Sequence, residues 1–317
     1  MTTRIRLISI CLPLMLAAAW GTQPSAQQNA FLGRWNLTPT GGNPGVYWLE
    51  ITQDAGGLTG MFLNRGGNPN KLASVKIENG ELVFQGAPRR GGPGPEGRLR
   101  VQGDKLTGTL TTGTTVVEFT GAHSPKWPAA DANAPHKFGT PIELFDGKSM
   151  DGWNLANKMY PWTVEGGIMT NTPPGSNIVS TRKFQDYKIH AEYKLAANSH
   201  SGIYVRGRYE MQVVQDSTGK APDKLGNMAI YGWFAPLVVA DSAADEWQTM
   251  EATIVMNKVS ATLNGKKIHD NTTLEAITGN AVDANELEPG PIQLVGNDGK
   301  LWYRKVTVTP ITDTGRQ

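Results

Sequence analysis

The chain has 317 residues, among them 37 glycines and 20 prolines, with 30 basic against 28 acidic side chains. Arg4 and Arg6 account for the two-charge excess, so the remainder is formally neutral and lacks the basic surface on which nucleic-acid binding depends. Cys11 is the only cysteine, which excludes an intramolecular disulfide; a chain of this length can bury two adequate cores without one.

Residues 1–26 have the form of a secretory signal. Arg4 and Arg6 make a basic start, and Leu7 to Ala19 is an apolar run too short to span a bilayer comfortably. Cleavage is expected near Ala26, with Ala19 as a competing site. An uncleaved anchor is disfavoured by the length of the run, and Ile10 before Cys11 is not the small residue that lipoprotein processing requires. The mature chain is thus expected to be exported, periplasmic or extracellular, with no transmembrane segment.

Residues 30–122 carry short alternating runs at Gly33–Leu37, Val46–Thr52, Leu58–Leu63, Leu72–Ile77, Glu81–Gln85, Gly97–Val101, Lys105–Leu110 and Thr115–Phe119. Ala55-Gly56-Gly57, Asn79-Gly80 and Gly103-Asp104 supply turns that need positive φ. This spacing predicts a small antiparallel barrel or sandwich, and Gly33-Arg34-Trp35 faintly resembles the opening of calycin-type barrels. Ala87–Gly97 is Pro/Gly-rich but lacks the lysine and following helix of a phosphate loop. Residues 123–140, rich in proline and alanine, are expected to be a linker.

Residues 141–312 repeat the all-β pattern, with candidate strands from Ile142–Phe145 to Leu301–Thr309 and a strong hairpin signal at Asn264-Gly265. Ten or so strands over this length predict a two-sheet jelly roll. Leu274–Ile277 is expected to form one helical turn.

From Tyr204 to Asp216 the even positions read Tyr204, Arg206, Arg208, Glu210, Gln212, Val214 and Asp216. In an extended strand these share a face, either a solvated face or the polar side of a sugar site, with Gly207 able to break the parity. His200 enters this strand through the polar run Asn198–Gly202. Tyr231, Trp233 and Phe234 lie in a Gly/Pro-containing loop, where aromatic rings either stack on pyranose faces or plug the end of the sandwich. Trp153, Trp162 and Trp247 are assigned to packing, and His190 to an exposed strand face with Lys188, Glu192 and Lys194. No Gly-x-Ser-x-Gly elbow, metal-spaced histidine pair or identifiable carboxylate pair is present. No cofactor is expected, although loop carboxylates would also suit calcium.

Across residues 141–311 the chain resembles the 3-keto-disaccharide hydrolase domain family. The resemblance is carried by Leu144–Trp153, Trp162–Ile168, Asn198–Asp216, Ala229-Ile-Tyr-Gly232, Glu246-Trp-Gln248, Leu263-Asn-Gly265, and Gly290–Leu294 with Tyr303-Arg304. It implies a concanavalin A-like jelly roll acting on a carbohydrate or 3-keto-glycoside substrate. The ketone at C3 acidifies the C2 hydrogen; a base removes it, the enolate expels the C1 substituent, and water adds back. On this basis Glu210 is the expected base, with Asp216 or His200 as fallback. Arg206 would stabilise the enolate, while Tyr204, Gln212, Tyr231, Trp233 and Arg304 orient the sugar. A structural pairing of Arg206 or Arg208 with Glu210 is the competing assignment. The family's usual His-Gly after the glutamine is replaced here by Leu294-Val295-Gly296 after Gln293, and Arg304 is followed by Lys305 rather than asparagine. A non-catalytic carbohydrate-binding protein of the envelope is therefore the alternative, and a purely structural envelope protein the third.

Overall fold

The computed structural model describes residues 26–313 apart from 42–44, 89–91, 156–160, 216–218 and 297–298. Asp216 and nearly all of the expected signal segment lie outside the described residues. A helical turn, α1 (Ala26–Asn29), precedes the strands.

Nine strands follow: β1 (Gly33–Pro39), β2 (Tyr47–Asp54), β3 (Gly57–Leu63), β4 (Asn70–Lys71), β5 (Ser74–Glu78), β6 (Glu81–Gln85), β7 (Glu96–Gln102), β8 (Lys105–Thr112) and β9 (Thr115–His123). They form one antiparallel sheet in the order β4-β3-β2-β1-β9-β8-β7-β6-β5. Leu72 N donates to Gly60 O on β3 and Ala73 N to Gln85 O on β6, so the β4–β5 step bridges the sheet's two edges and curls it on itself. Inside sit Trp35, Leu37, Leu49, Ile51, Phe62 and Phe84, among others, where alternation along each strand puts them.

The strap after β9 is extended but packed. Trp127, Ala130 and Ala132 lie against Val255 and Met256, and β10 (Lys137–Phe138) pairs with the last strand. Apolar side chains hold down a segment whose composition reads as a linker.

The remaining strands are β11 (Ile142–Phe145), β12 (Trp153–Leu155), β13 (Trp162–Glu165), β14 (Ile168–Asn171), β15 (Ile178–Phe184), β16 (Tyr187–Leu195), β17 (His200–Val205), β18 (Tyr209–Val214), β19 (Gln248–Val255), β20 (Lys258–Leu263), β21 (Lys266–Thr273), β22 (Gly290–Leu294) and β23 (Leu301–Asp313). One sheet runs β13-β14-β23-β16-β19-β20-β21, with β10 and β11 also on β23; the other runs β12-β15-β22-β17-β18. Between them lies a core that includes Tyr187, Ile189, Ile203, Val205, Met211 and Ile292. This is a concanavalin A-like jelly roll. On β16 the inward residues alternate with Lys188, His190, Glu192 and Lys194, which are partly exposed, as expected of an outer face. Leu274–Ile277 is not helical. Ala276 and Ile277 are instead buried against the first sheet, and that tertiary burial decides their conformation.

The two sheet systems meet along an apolar seam. Val46, Trp48 and Leu63 pack on Ala276, Ile277 and Ala281, and the Trp48 and Trp233 rings meet edge to face at 5.0 Å. Polar ties flank it: Arg34 bonds Glu275 at 2.5 Å, and Asn36 Nδ2 donates to Glu286 Oε1 at 2.7 Å. Because Trp48 is fully buried in this seam, Trp48→Ala is expected to lower stability by ~3–5 kcal/mol, measured by urea denaturation.

Candidate functional site

The polar ribbon is a hairpin rather than one strand. Arg206 and Gly207 have φ of +52° and +65°, and Arg208 N donates to Val205 O, a tight turn of the kind that requires positive φ. Cross-strand pairing then sets the faces. Tyr204 lies opposite Glu210 and Gly202 opposite Gln212, while Gln293 on β22 pairs with Tyr204 from the other side. Tyr204, Glu210, Gln212 and Gln293 therefore share the face that points away from the sandwich core.

That face is covered, because both faces of β17, β18 and β22 are almost wholly buried. Residues 228–231 run along the outer edge of β18: Gln212 N donates to Ala229 O, Met228 N to Gln212 O and Tyr231 N to Glu210 O. The stretch from Ala276 to Ala281 lies over the face itself. Thr278 Oγ1 accepts from Glu210 N at 2.9 Å, Gly279 O contacts the Tyr204 hydroxyl, and Gln293 Nε2 donates to Asn280 O at 3.3 Å.

Within this enclosure Tyr204 Oη lies 2.7 Å from Glu210 Oε2. Burial, opposed by that hydrogen bond, raises the Glu210 carboxyl from its ordinary 4.5 to about 8. A phenol has one proton, so Tyr204 serves either Glu210 or Gly279 O as donor, never both. When Glu210 is ionised, Tyr204 donates to it. When Glu210 is protonated, it donates to the Tyr204 oxygen and Tyr204 donates to Gly279 O. The carboxyl, phenol and carbonyl thus form a short hydrogen-bonded chain with two arrangements. Gly202 leaves room for it, since a methyl group at Gly202 would fall 2.1 Å from Glu210 Oε1. Tyr231 stands beside the same carboxylate; its phenol is raised by burial and by the charge of Glu210.

The other expected site residues are dispersed. Arg206 is fully buried at the hairpin tip with its guanidinium between the rings of Trp127 and Tyr209, at 5.2 and 5.3 Å. It donates through Nη2 to Met256 O, not toward Glu210, because the turn carries it off the strand face. Arg208 bonds Asp283 Oδ1 at 2.6 Å and Glu288 O at 2.8 Å, bracing the loop before β22. Neither arginine pairs with Glu210. Trp233 donates to Ile277 O and packs on Trp48, so it belongs to the seam. Arg304 lies on the opposite sheet, where its guanidinium pairs with Glu192 and covers Trp247 at 4.6 Å. His200 is exposed at the start of β17, four residues and about 13 Å along the strand from Tyr204, given ~3.3 Å per residue. Glu210, Tyr204, Gln212 and Tyr231 are the members brought together, and Gln293, Thr278 and Gly279 join them unanticipated. Gln293 had two signals, its match to the family's glutamine and its place as a lone amide between Ile292 and Leu294 in an apolar strand; Gly279 had none.

The first sheet closes the rim. A methyl group built on Gly279 would fall 2.4 Å from Gly67 O, and one on Gly232 would fall 2.6 Å from the Asn68 side chain and 2.7 Å from Pro69. The β3–β4 loop therefore rests directly on the two segments that enclose Glu210. Among the described residues no group of three His, Cys, Asp or Glu side chains could hold a metal.

Residues 140–309 match the family model of the 3-keto-alpha-glucoside-1,2-lyase-like domain. Among solved structures, a candidate glycosyl hydrolase from Parabacteroides distasonis ATCC 8503 is similar at 21% identity, covering 59% of this chain and 95% of that one with a TM-score of 0.48. A prokaryotic beta-1,3-1,4-glucanase (lichenase) derived from a mouse hindgut metagenome is similar at 12% identity, covering 55% and 100% with a TM-score of 0.37. No curated protein matches the chain.

Between pH 4.5 and about 8 the folded protein holds a proton on Glu210 that the unfolded chain releases, so this group's contribution to stability falls as pH rises across that window. Glu210→Gln keeps the shape and removes the titration. The variant is expected to exceed the wild type in stability at pH 8 by on the order of a few kcal/mol, with a smaller difference at pH 5, measured by chemical denaturation at both values.

Proposed function

The chain belongs to the 3-keto-alpha-glucoside-1,2-lyase-like domain family, and on that premise we propose that it is a carbohydrate-active enzyme cleaving 3-keto-glycosides, with Glu210 as the base. The observation that carries this is a single carboxyl group, buried beside Tyr204 and Tyr231 and raised to about 8, on the outer face of the jelly roll's second sheet. A weak acid of this kind is matched to removing and returning a carbon-bound proton near neutral pH.

In the proposed sequence, ionised Glu210 takes the C2 hydrogen and the C–H electron pair enters the C3 carbonyl to form an enolate. The enolate returns its electrons to make the C1–C2 double bond while the C1–O bond breaks. The departing oxygen takes a proton from Glu210, directly or through the Tyr204 hydroxyl. Water then adds across the double bond, its hydroxyl to C1 and a proton to C2, completing a formal hydrolysis. The expected enolate cation, Arg206, stands elsewhere, so stabilisation falls to neutral donors: the Tyr231 hydroxyl and the amides of Gln212 and Gln293. We place the reaction outside the cytoplasm, in the periplasm or beyond, on the strength of the Arg4/Arg6 start and the apolar run after it.

A second reading, a binding protein without turnover, is favoured by one observation: neither Arg206 nor Arg304 reaches Glu210. Incubating the purified protein with a 3-keto-α-glucoside such as 3-ketotrehalose separates the two. Release of 3-ketoglucose supports the enzyme; saturable binding with no product supports the binder. For the enzyme, Glu210→Gln is expected to lower kcat by ~10²–10⁴-fold. The wild-type kcat/KM is expected to rise with pH and level off above about 8, because only ionised Glu210 accepts the proton. Undiminished turnover in Glu210→Gln eliminates this base.

A further inference from the structure

A cleft lies away from Glu210, beyond the hairpin tip, where β1 and β2, the strap after β9 and the β19–β20 and post-β21 turns converge. It has a volume of about 1010 Å³, and Arg34, Glu50, Trp127, Asn257, Lys258 and Glu275 are among its lining residues. Arg34 is held by two carboxylates, Glu50 at 2.8 Å and Glu275 at 2.5 Å, each using one oxygen. Lys258 Nζ sits 2.6 Å from Thr273 Oγ1.

Trp127 forms an aromatic side of the cleft, and its support is unusual. The guanidinium stacked on it belongs to Arg206, which does not itself line the cleft. Arg206 is fully buried, carries a left-handed φ of +52°, and leaves Nε and Nη1 without hydrogen-bond partners. Unpartnered buried donors cost about 1–3 kcal/mol, and strained, under-satisfied residues cluster where a site needs a fixed geometry. The stack on Trp127 and Tyr209 offsets this in part. Its consequence is that an indole in an otherwise irregular strap is fixed in orientation while remaining partly exposed to the cleft.

We propose that this cleft is a second carbohydrate site, separate from Glu210, that binds a neutral oligosaccharide with one pyranose ring stacked on Trp127. The two carboxylates anchored by Arg34 accept from vicinal hydroxyls, and Asn257 and Lys258 donate to hydroxyl and ring oxygens. The charge pattern selects the class. The lining sets Arg34, Lys126 and Lys258 against Glu50 and Glu275, and this near-balance of donors and acceptors beside a stackable ring matches an uncharged sugar.

The site is tested on the full chain by calorimetric titration with maltotetraose, cellotetraose and laminaritetraose, none of which carries a keto group. At least one is expected to bind with Kd of 1 mM or tighter. Trp127→Ala is expected to weaken it tenfold or more, Trp127→Tyr to retain most of the affinity, and Glu50→Gln to weaken it several-fold, with thermal unfolding confirming that each variant is folded. Turnover or binding of a small 3-keto-α-glucoside is expected to be unchanged in Trp127→Ala, so failure of the cleft and failure of the Glu210 assignment are read separately. Absence of binding by all three sugars at 10 mM overturns the proposal. So does affinity that survives both Trp127→Ala and Glu50→Gln.

Discussion

Burial on both faces of the five-stranded sheet is the constraint from which the site follows. One face packs into the sandwich core, as in any jelly roll. The other carries Tyr204, Glu210, Gln212 and Gln293, is bordered at the β18 edge by 228–231 and is covered by 276–281. A carboxyl group in such a place is driven toward its neutral form unless it is paired with a charge, and among the described residues no arginine reaches Glu210. What it has is a phenol backed by a carbonyl. That combination leaves it a weak acid, which a solvated strand face or a salt bridge would not have done.

The first sheet has a direct part in this. Its β3–β4 loop touches the backbone at Gly232 and Gly279, and its Trp48 fills the seam with Trp233. The buried Glu286, raised by desolvation, receives hydrogen bonds from Asn36 on one side of the seam and Tyr209 on the other. Tyr209 is one residue from Glu210 and also flanks Arg206. The enclosure around the carboxyl is therefore a property of both sheet systems, and the roof over Glu210 cannot shift without disturbing the seam.

Much of the architecture was legible beforehand because strand formation is local. Alternation, β-branched content and positive-φ turn residues place Glu81–Gln85, Tyr187–Leu195 and Tyr209–Val214 as they occur. Glu210, Gln212 and Tyr231 were also legible, since a polar strand beside an aromatic loop is visible in one dimension. The arginines were not. Arg206 was assigned to the strand face, but its destination was set by Trp127, some eighty positions earlier, and by the turn at Gly207. Trp233 was claimed by Trp48 across the seam, Arg304 by Glu192 on the other sheet, and Leu274–Ile277 by apolar burial against the first sheet.

The amino-acid sequence alone determined the all-β class, nearly every strand, the position of the hairpins and the family, because these depend on residue type and short-range spacing. Which side chains meet was decided only by tertiary structure. Face, cover and charge partner are set by residues distant in the chain, and a carboxyl's acidity depends on the dielectric that those residues create.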